Sequence, residues 1–301
     1  MPDQSHNPGE LVVVTGAAGF IGRRVTTRLA STGRAVLALD RAADPGGWPT
    51  GVEYRRTDLA EGMPAHTGNW TLVHLAWNMD RGNRQAQDAS LAVFARLLGQ
   101  TGLTQVIGLG SAEEYGGLEG VLSEDTAPGP ELSHYGAAKH RACRALDAWA
   151  RQGERNAVWL RPFVVYGPGQ GGNMAIPYAV RQARTRQPAD FSEGSQQRDF
   201  VHVDDVADGI ARAACRRPAA SAPFAVLNLG RGEPVRLRDV LERIAVNMQA
   251  EERFRFGARP MRPGEPGRQV ADLAAVHRVL DWKAAVSWRE GIDRLCAEAA
   301  E

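Results

Sequence analysis

Short apolar runs alternate with longer segments of helical periodicity through the first two thirds of the chain. Leu11-Val12-Val13-Val14-Thr15 is the first run, and its length and β-branched residues predict a buried strand. A glycine-punctuated turn, Gly16-Ala17-Ala18-Gly19-Phe20-Ile21-Gly22, leads into Val25-Thr26-Thr27-Arg28-Leu29, which reads as a helix. Further strands are predicted at 35–40, 52–59, 71–76 and 105–110, with a later one ending at Asn228-Leu229-Gly230. A helix opens at Tyr135 and carries Cys143, Leu146 and Trp149, and 237–248 reads as an amphipathic helix. Strand and helix in alternation predict an α/β fold with a mostly parallel sheet.

Length and charge narrow the class. A chain of 301 residues, 43% hydrophobic, can bury one large core or two modest ones. The net charge of +1 and the absence of a long Lys/Arg run argue against nucleic acid or an anionic membrane as partner. No window approaches 18 apolar residues, and the polar start lacks the apolar core of a signal peptide, so a cytoplasmic protein is expected. Cys143, Cys215 and Cys296 lie far apart without a CxxC companion, which predicts neither a disulfide framework nor a metal site.

The glycine turn between strand and helix has the form of a dinucleotide cradle. Gly16 and Gly19 permit a tight turn and close approach to a pyrophosphate, with Phe20 and Ile21 between them and Gly22 as further cofactor residues, and Gly22 lets the helix lie close to the strand. Asp40 ends the second strand 18 residues after Gly22, where an acid accepts from the adenosine ribose and repels a 2'-phosphate, favouring NAD; Arg41 beside it is the residue that would pair with a phosphate instead. Asp58-Leu59 and Leu75-Ala76 follow two further strands at the same sheet edge. Ser111 follows the strand at 105–110, where an open α/β sheet places its chemistry. Tyr135 and Lys139 stand at i and i+4 on one helix face, and an ammonium beside a phenol favours the phenolate, so Tyr135 is expected to ionise below its usual value and to act as a base. Lys139 and Lys283 are the only lysines among 36 basic residues, which sets the Tyr135/Lys139 pair apart.

The ordered series Gly16-x-x-Gly19-x-x-Gly22, Asp40, Asp58-Leu59, His74-Leu75-Ala76, Ser111, Tyr115-Gly116 and Tyr135-x-x-x-Lys139 resembles the extended short-chain dehydrogenase/reductases. Arg161-Pro162 with Tyr166-Gly167-Pro168, and Arg198-Asp199-Phe200-Val201-His202-Val203-Asp204-Asp205, resemble the signatures of nucleotide-sugar epimerases and dehydratases within them. The resemblance implies a Rossmann-type doubly wound parallel sheet with a smaller C-terminal α/β substrate lobe. The nucleotide-binding part would cover 1–170 with 201–230 returning to it, and the substrate lobe 171–200 and 231–301. It further implies that Ser111 and Tyr135 bind the sugar hydroxyl being oxidised, that Lys139 holds the nicotinamide ribose, and that the cofactor is NAD. Asn173, Arg198 and Arg262 would hold the nucleotide diphosphate, and forked guanidinium groups suit that task.

Within that family the reaction is read from Ser111-Ala112-Glu113. Sugar dehydratases carry an Asp where Ala112 stands, while Glu113 matches dehydratases and UDP-glucuronate decarboxylases. A 4-epimerase is the first expectation; a ketoreductase, or a decarboxylase using Glu113, is the alternative. Trp77 stands where the family has a small residue, and Asp281 where its closing pattern has glycine. Family members often dimerise through the helices here at 86–99 and 135–151. A homodimer is therefore expected, with Ala142, Leu146, Trp149, Leu91, Phe94, Leu97 and Leu98 as the candidate apolar stripe.

Overall fold

The computed structural model describes residues 10–172, 174–216 and 222–300. In chain order its first half comprises β1 (Leu11–Thr15), α1 (Phe20–Ala30), β2 (Val36–Asp40), β3 (Val52–Arg56), β4 (Trp70–His74), α2 (Arg84–Leu98), β5 (Leu103–Leu109), β6 (Gly120–Leu122) and α3 (His134–Ala150). There follow β7 (Asn156–Pro162), β8 (Val164–Tyr166), α4 (Ala175–Arg184), β9 (Ala189–Asp190), β10 (Gln197–Arg198), β11 (Phe200–His202), α5 (Val203–Cys215) and β12 (Phe224–Leu229). The chain closes with β13 (Val235–Arg236), α6 (Leu237–Asn247), β14 (Phe254–Arg255), β15 (Arg268–Ala271), α7 (Ala274–Leu280) and α8 (Trp288–Ala300).

Seven parallel strands form the main sheet in the order β12-β7-β5-β4-β1-β2-β3. The order reverses between β1 and β4, so a crevice opens there at the strands' carboxyl ends, where such sheets bind ligands. Alternation along β1 sends Val12 and Val14 to one face and Val13 to the other. The first face is covered by α1 and α5 through Val25, Leu29, Val206 and Ile210. On the second, α2 and α3 bring Phe94, Leu97, Leu146 and Trp149 against Leu37, Leu72 and Trp159. This is the doubly wound Rossmann arrangement that the family resemblance implies.

A second core gathers Ile176, Val240, Leu241, Ile244, Ile292 and Leu295 from α4, α6 and α8. Beside it lies a four-stranded sheet, β13-β10-β15-β6, to which β6 crosses from the first half of the chain. Residues 273–284, expected in the substrate lobe, pack instead in the first core: Val276, Leu280 and Trp282 are buried with α5 and β12. An apolar stripe does not reveal which neighbour will cover it. The same holds for the predicted dimer stripe, because Phe94, Leu97, Leu98, Ala142, Leu146 and Trp149 are buried against the protein's own sheet and Leu91 is half-buried at its margin. No helix among the described residues is long and apolar enough to cross a membrane.

His74, the last residue of β4, is 2% exposed; its Nδ1 lies 2.8 Å from Thr15 Oγ1 and its ring stacks on Phe94. Burial pushes its pKa down to about 3, with Lys139 adding to the effect. The unfolded chain takes up this proton below about 6.5 while the folded chain does not until about 3, so the stabilisation present above 6.5 is lost as pH falls through that window. The expected loss is about 1.4 kcal/mol per pH unit. Urea midpoints measured through this range should fall more steeply for the unmodified protein than for His74→Gln; equal slopes would refute the assignment.

Candidate active site

β1 ends at Thr15 and the chain turns at Gly16, whose φ of +71° suits glycine. A Cβ there would meet the Ala76 backbone nitrogen at 2.8 Å, and one on Gly22 would meet the Gly16 carbonyl at 2.0 Å. Both glycines are therefore fixed by close backbone approach. Gly19 caps α1 without a side-chain bond, and the first helical turn, which holds Phe20 and Ile21, carries no acid. Asp40, at the end of β2, accepts from Ala18 N at 3.1 Å and Ala42 N at 3.0 Å, which ties the second strand to the glycine turn. A carboxylate has about four acceptor positions, so Asp40 retains capacity for ribose hydroxyls. Leu75 and Ala76 follow β4, their N–H groups directed at Thr15 Oγ1. Arg41 and Asp58 line a cleft beside Asp40 with Arg56 and Glu61, and Leu59 is half-buried next to it. The expected cofactor residues thus meet at one sheet edge. A turn closed to side chains, running into an uncapped helix N-terminus, fits a dinucleotide pyrophosphate.

Ser111 begins a tight helical turn at the end of β5, and its Oγ accepts from Glu113 N at 3.1 Å. The turn is anchored from below by Glu114, whose side chain is fully buried. One carboxylate oxygen accepts from Ser111 N and Trp159 Nε1, both at 2.9 Å, and the other from Arg161 Nε at 3.0 Å. Arg161 also donates to the Tyr115 hydroxyl, which donates to Asn228 on β12. Glu114 carries no signal in the sequence, and Arg161 stands out only within the Arg161-Pro162 motif; no spacing rule links the two.

Tyr135 and Lys139 open α3, whose N-cap Ser133 accepts from Gly136 N at 3.0 Å. Both side chains are buried. Lys139 Nζ donates to the Leu109 carbonyl at 2.7 Å and sits 3.8 Å from the centre of the Trp77 ring, but 5.6 Å from that of Tyr135. Trp77 is held by Gln87 through its indole N–H. Burial pushes Lys139 down to about 7. It pushes the Tyr135 phenol up, above its usual value, with Arg81 the strongest opposing charge and Ser111 a further favourable contact. The lowered phenol expected from the Tyr/Lys spacing is therefore corrected, because desolvation outweighs charge here.

Arg81, between β4 and α2, carried no signal in so arginine-rich a chain. Its guanidinium carbon lies 5.1 Å from the Tyr135 ring centre, and it forms an ion pair with Glu113. The second Glu113 oxygen accepts from Ser133 Oγ at 2.9 Å. The carboxylate that the decarboxylase alternative would use is thus held by two partners.

Arg198 lies on β10 with its side chain 13% exposed, paired to Glu265 at 3.1 Å, and Gln196 donates to the same carboxylate oxygen. Burial lowers the Arg198 pKa and Glu265 opposes that shift. Glu265 follows Arg262 by three residues, so the two expected phosphate ligands sit on adjacent segments, with Arg262 exposed. Asn173 lies outside the described residues.

The chain matches the sequence profile of the NAD dependent epimerase/dehydratase family over residues 12–230. It is similar to MoeE5, solved in complex with UDP-glucose and NAD, with 33% identity, a TM-score of 0.82, and coverage of 96% of this chain and 98% of that one. MoeE5 is also solved with UDP-glucuronic acid and NAD. The UDP-glucose 4-epimerase of Mycolicibacterium smegmatis is 27% identical over 93% of this chain and 95% of its own. A dTDP-6-deoxy-L-talose 4-dehydrogenase of Kitasatospora kifunensis is likewise 27% identical, over 96% of each chain. With glycine cradle, Ser111, Tyr135 and Lys139 at one sheet edge, the chain belongs to the NAD dependent epimerase/dehydratase family, enzymes that act on nucleotide sugars with NAD as cofactor.

Proposed function

We propose that the protein is a nucleotide-sugar 4-epimerase. The observation that supports this most is that Ser111 and Tyr135 adjoin each other at the carboxyl end of the sheet while Glu113 is engaged by Arg81 and Ser133. Dehydration or decarboxylation assisted by Glu113 needs a free carboxylate; oxidation and re-reduction at C4 do not. Gly16, Gly19 and Gly22 would receive the pyrophosphate, Asp40 the adenosine ribose, and Lys139 the nicotinamide ribose, with Arg41, Asp58, Leu59, Leu75 and Ala76 flanking the cofactor. NAD, when bound, supplies a positively charged ring that takes hydrogen with its electron pair from the sugar carbon and later returns it. Tyr135 removes the proton from the C4 hydroxyl and gives it back after the ring has turned. Ser111 Oγ accepts from Glu113 N, which leaves its O–H to donate to the sugar oxygen.

Arg198 and Arg262 are proposed to bind the nucleotide diphosphate, Arg198 exchanging Glu265 for phosphate oxygens. Such contacts lie away from the reacting carbon and act through binding and orientation. Arg198→Ala should cost about 2 to 4 kcal/mol in kcat/KM, as for removing one partner of a desolvated charge pair. Arg198→Lys should recover only part, since a point charge replaces a fork. Calorimetry with UDP, dTDP and GDP tests the substrate class: binding of at least one, weakened in Arg198→Ala, is expected. No heat from any of them would refute a nucleotide-sugar substrate.

A further inference from the structure

Arg81 makes two contacts that converge on the start of α3. One is with the face of the Tyr135 ring; the other runs through Glu113 to Ser133, the N-cap two residues before Tyr135. The charges that face Tyr135 come from three elements: Arg81 from the segment between β4 and α2, Glu113 and Glu114 from the turn after β5, and Lys139 one turn along α3. Both carboxylates oppose a phenolate. Lys139 is directed to Trp77 and to the Leu109 carbonyl, and its Nζ lies 5.6 Å from the centre of the Tyr135 ring. A guanidinium keeps its charge at every pH the fold survives, and a cation over an aromatic face gains further when the ring becomes an anion.

We propose that Arg81 is a positioning residue for Tyr135: its charge on the ring face stabilises the phenolate, and its bridge through Glu113 and Ser133 fixes the start of α3 against the Ser111 turn. This rests on the reading of Tyr135 as the base, but its test needs no turnover. A fluorinated tyrosine at position 135, whose phenol ionises at lower pH, is titrated by fluorine NMR in the NAD-bound protein. Arg81→Gln should raise the ionisation midpoint by about one pH unit, the lower end of the effect of an opposite charge at this distance. Arg81→Lys should raise it less, because a charge remains, and circular dichroism and NAD binding confirm that both variants are folded. An unchanged midpoint in Arg81→Gln would overturn the proposal. Should the unmodified protein convert no nucleotide sugar, the functional reading fails while this titration still decides the role of Arg81.

Discussion

Tyr135→Phe is expected to lower turnover by about 10² to 10⁴, the usual contribution of a positioned acid-base group. The ring is buried and faces Arg81, and phenylalanine preserves that packing. What is lost is the hydroxyl next to Ser111. Stability should change by about 1 kcal/mol or less, and NAD affinity should be retained, because the glycine turn and Asp40 are untouched. Steady-state kinetics set beside a urea unfolding curve separates these effects. Turnover equal to that of the unmodified protein would remove Tyr135 from the mechanism.

The largest expected effect on stability lies directly beneath the site. Arg161→Leu should cost about 3 to 5 kcal/mol, the usual result of removing one partner of a buried ion pair. Arg161 and Glu114 have side-chain exposures of 6% and 0%, so the orphaned carboxylate cannot reach water; Ser111 N and Trp159 Nε1 would remain as its hydrogen-bond donors among the described residues. A domain's whole stability is about 5 to 15 kcal/mol, so the loss is a large share. The double variant Glu114→Gln, Arg161→Leu should be less unstable than Arg161→Leu alone, since no uncompensated charge is left behind. Urea midpoints with unchanged slope measure both. A cost below about 1 kcal/mol for Arg161→Leu would show that the pair does not anchor the Ser111 turn.

The parts of the site legible in the sequence are those whose cause is local. Gly22 is required by backbone approach within one turn and Gly16 by its positive φ, the apolar runs of β1, β2, β4 and β5 bury themselves whichever neighbours they take, and Ser111 and Tyr135 stand at element ends marked by pattern. What was not legible depends on tertiary approach. Arg81 reaches Tyr135 from a segment more than fifty positions away, Glu114 finds Arg161 on β7, and Glu265 finds Arg198 on β10. The apolar faces of α2 and α3 are visible as patterns, but a pattern does not distinguish the chain's own sheet from a second copy. The sign of the Tyr135 shift fails for a related reason: sequence spacing supplies the neighbouring charge and is silent on the desolvation that outweighs it.

Epimerisation at C4 is tested most directly by incubating the protein and NAD with UDP-glucose, UDP-glucuronic acid and dTDP- and GDP-linked hexoses, and following the sugar ring by proton NMR. The prediction is that at least one of these sugars is converted to an equilibrium mixture with its C4 epimer, with no net reduction of the cofactor. A substrate deuterated at C4 should keep its label in the product. Unchanged sugars throughout the panel, or a product that has lost water or carbon dioxide, would contradict it.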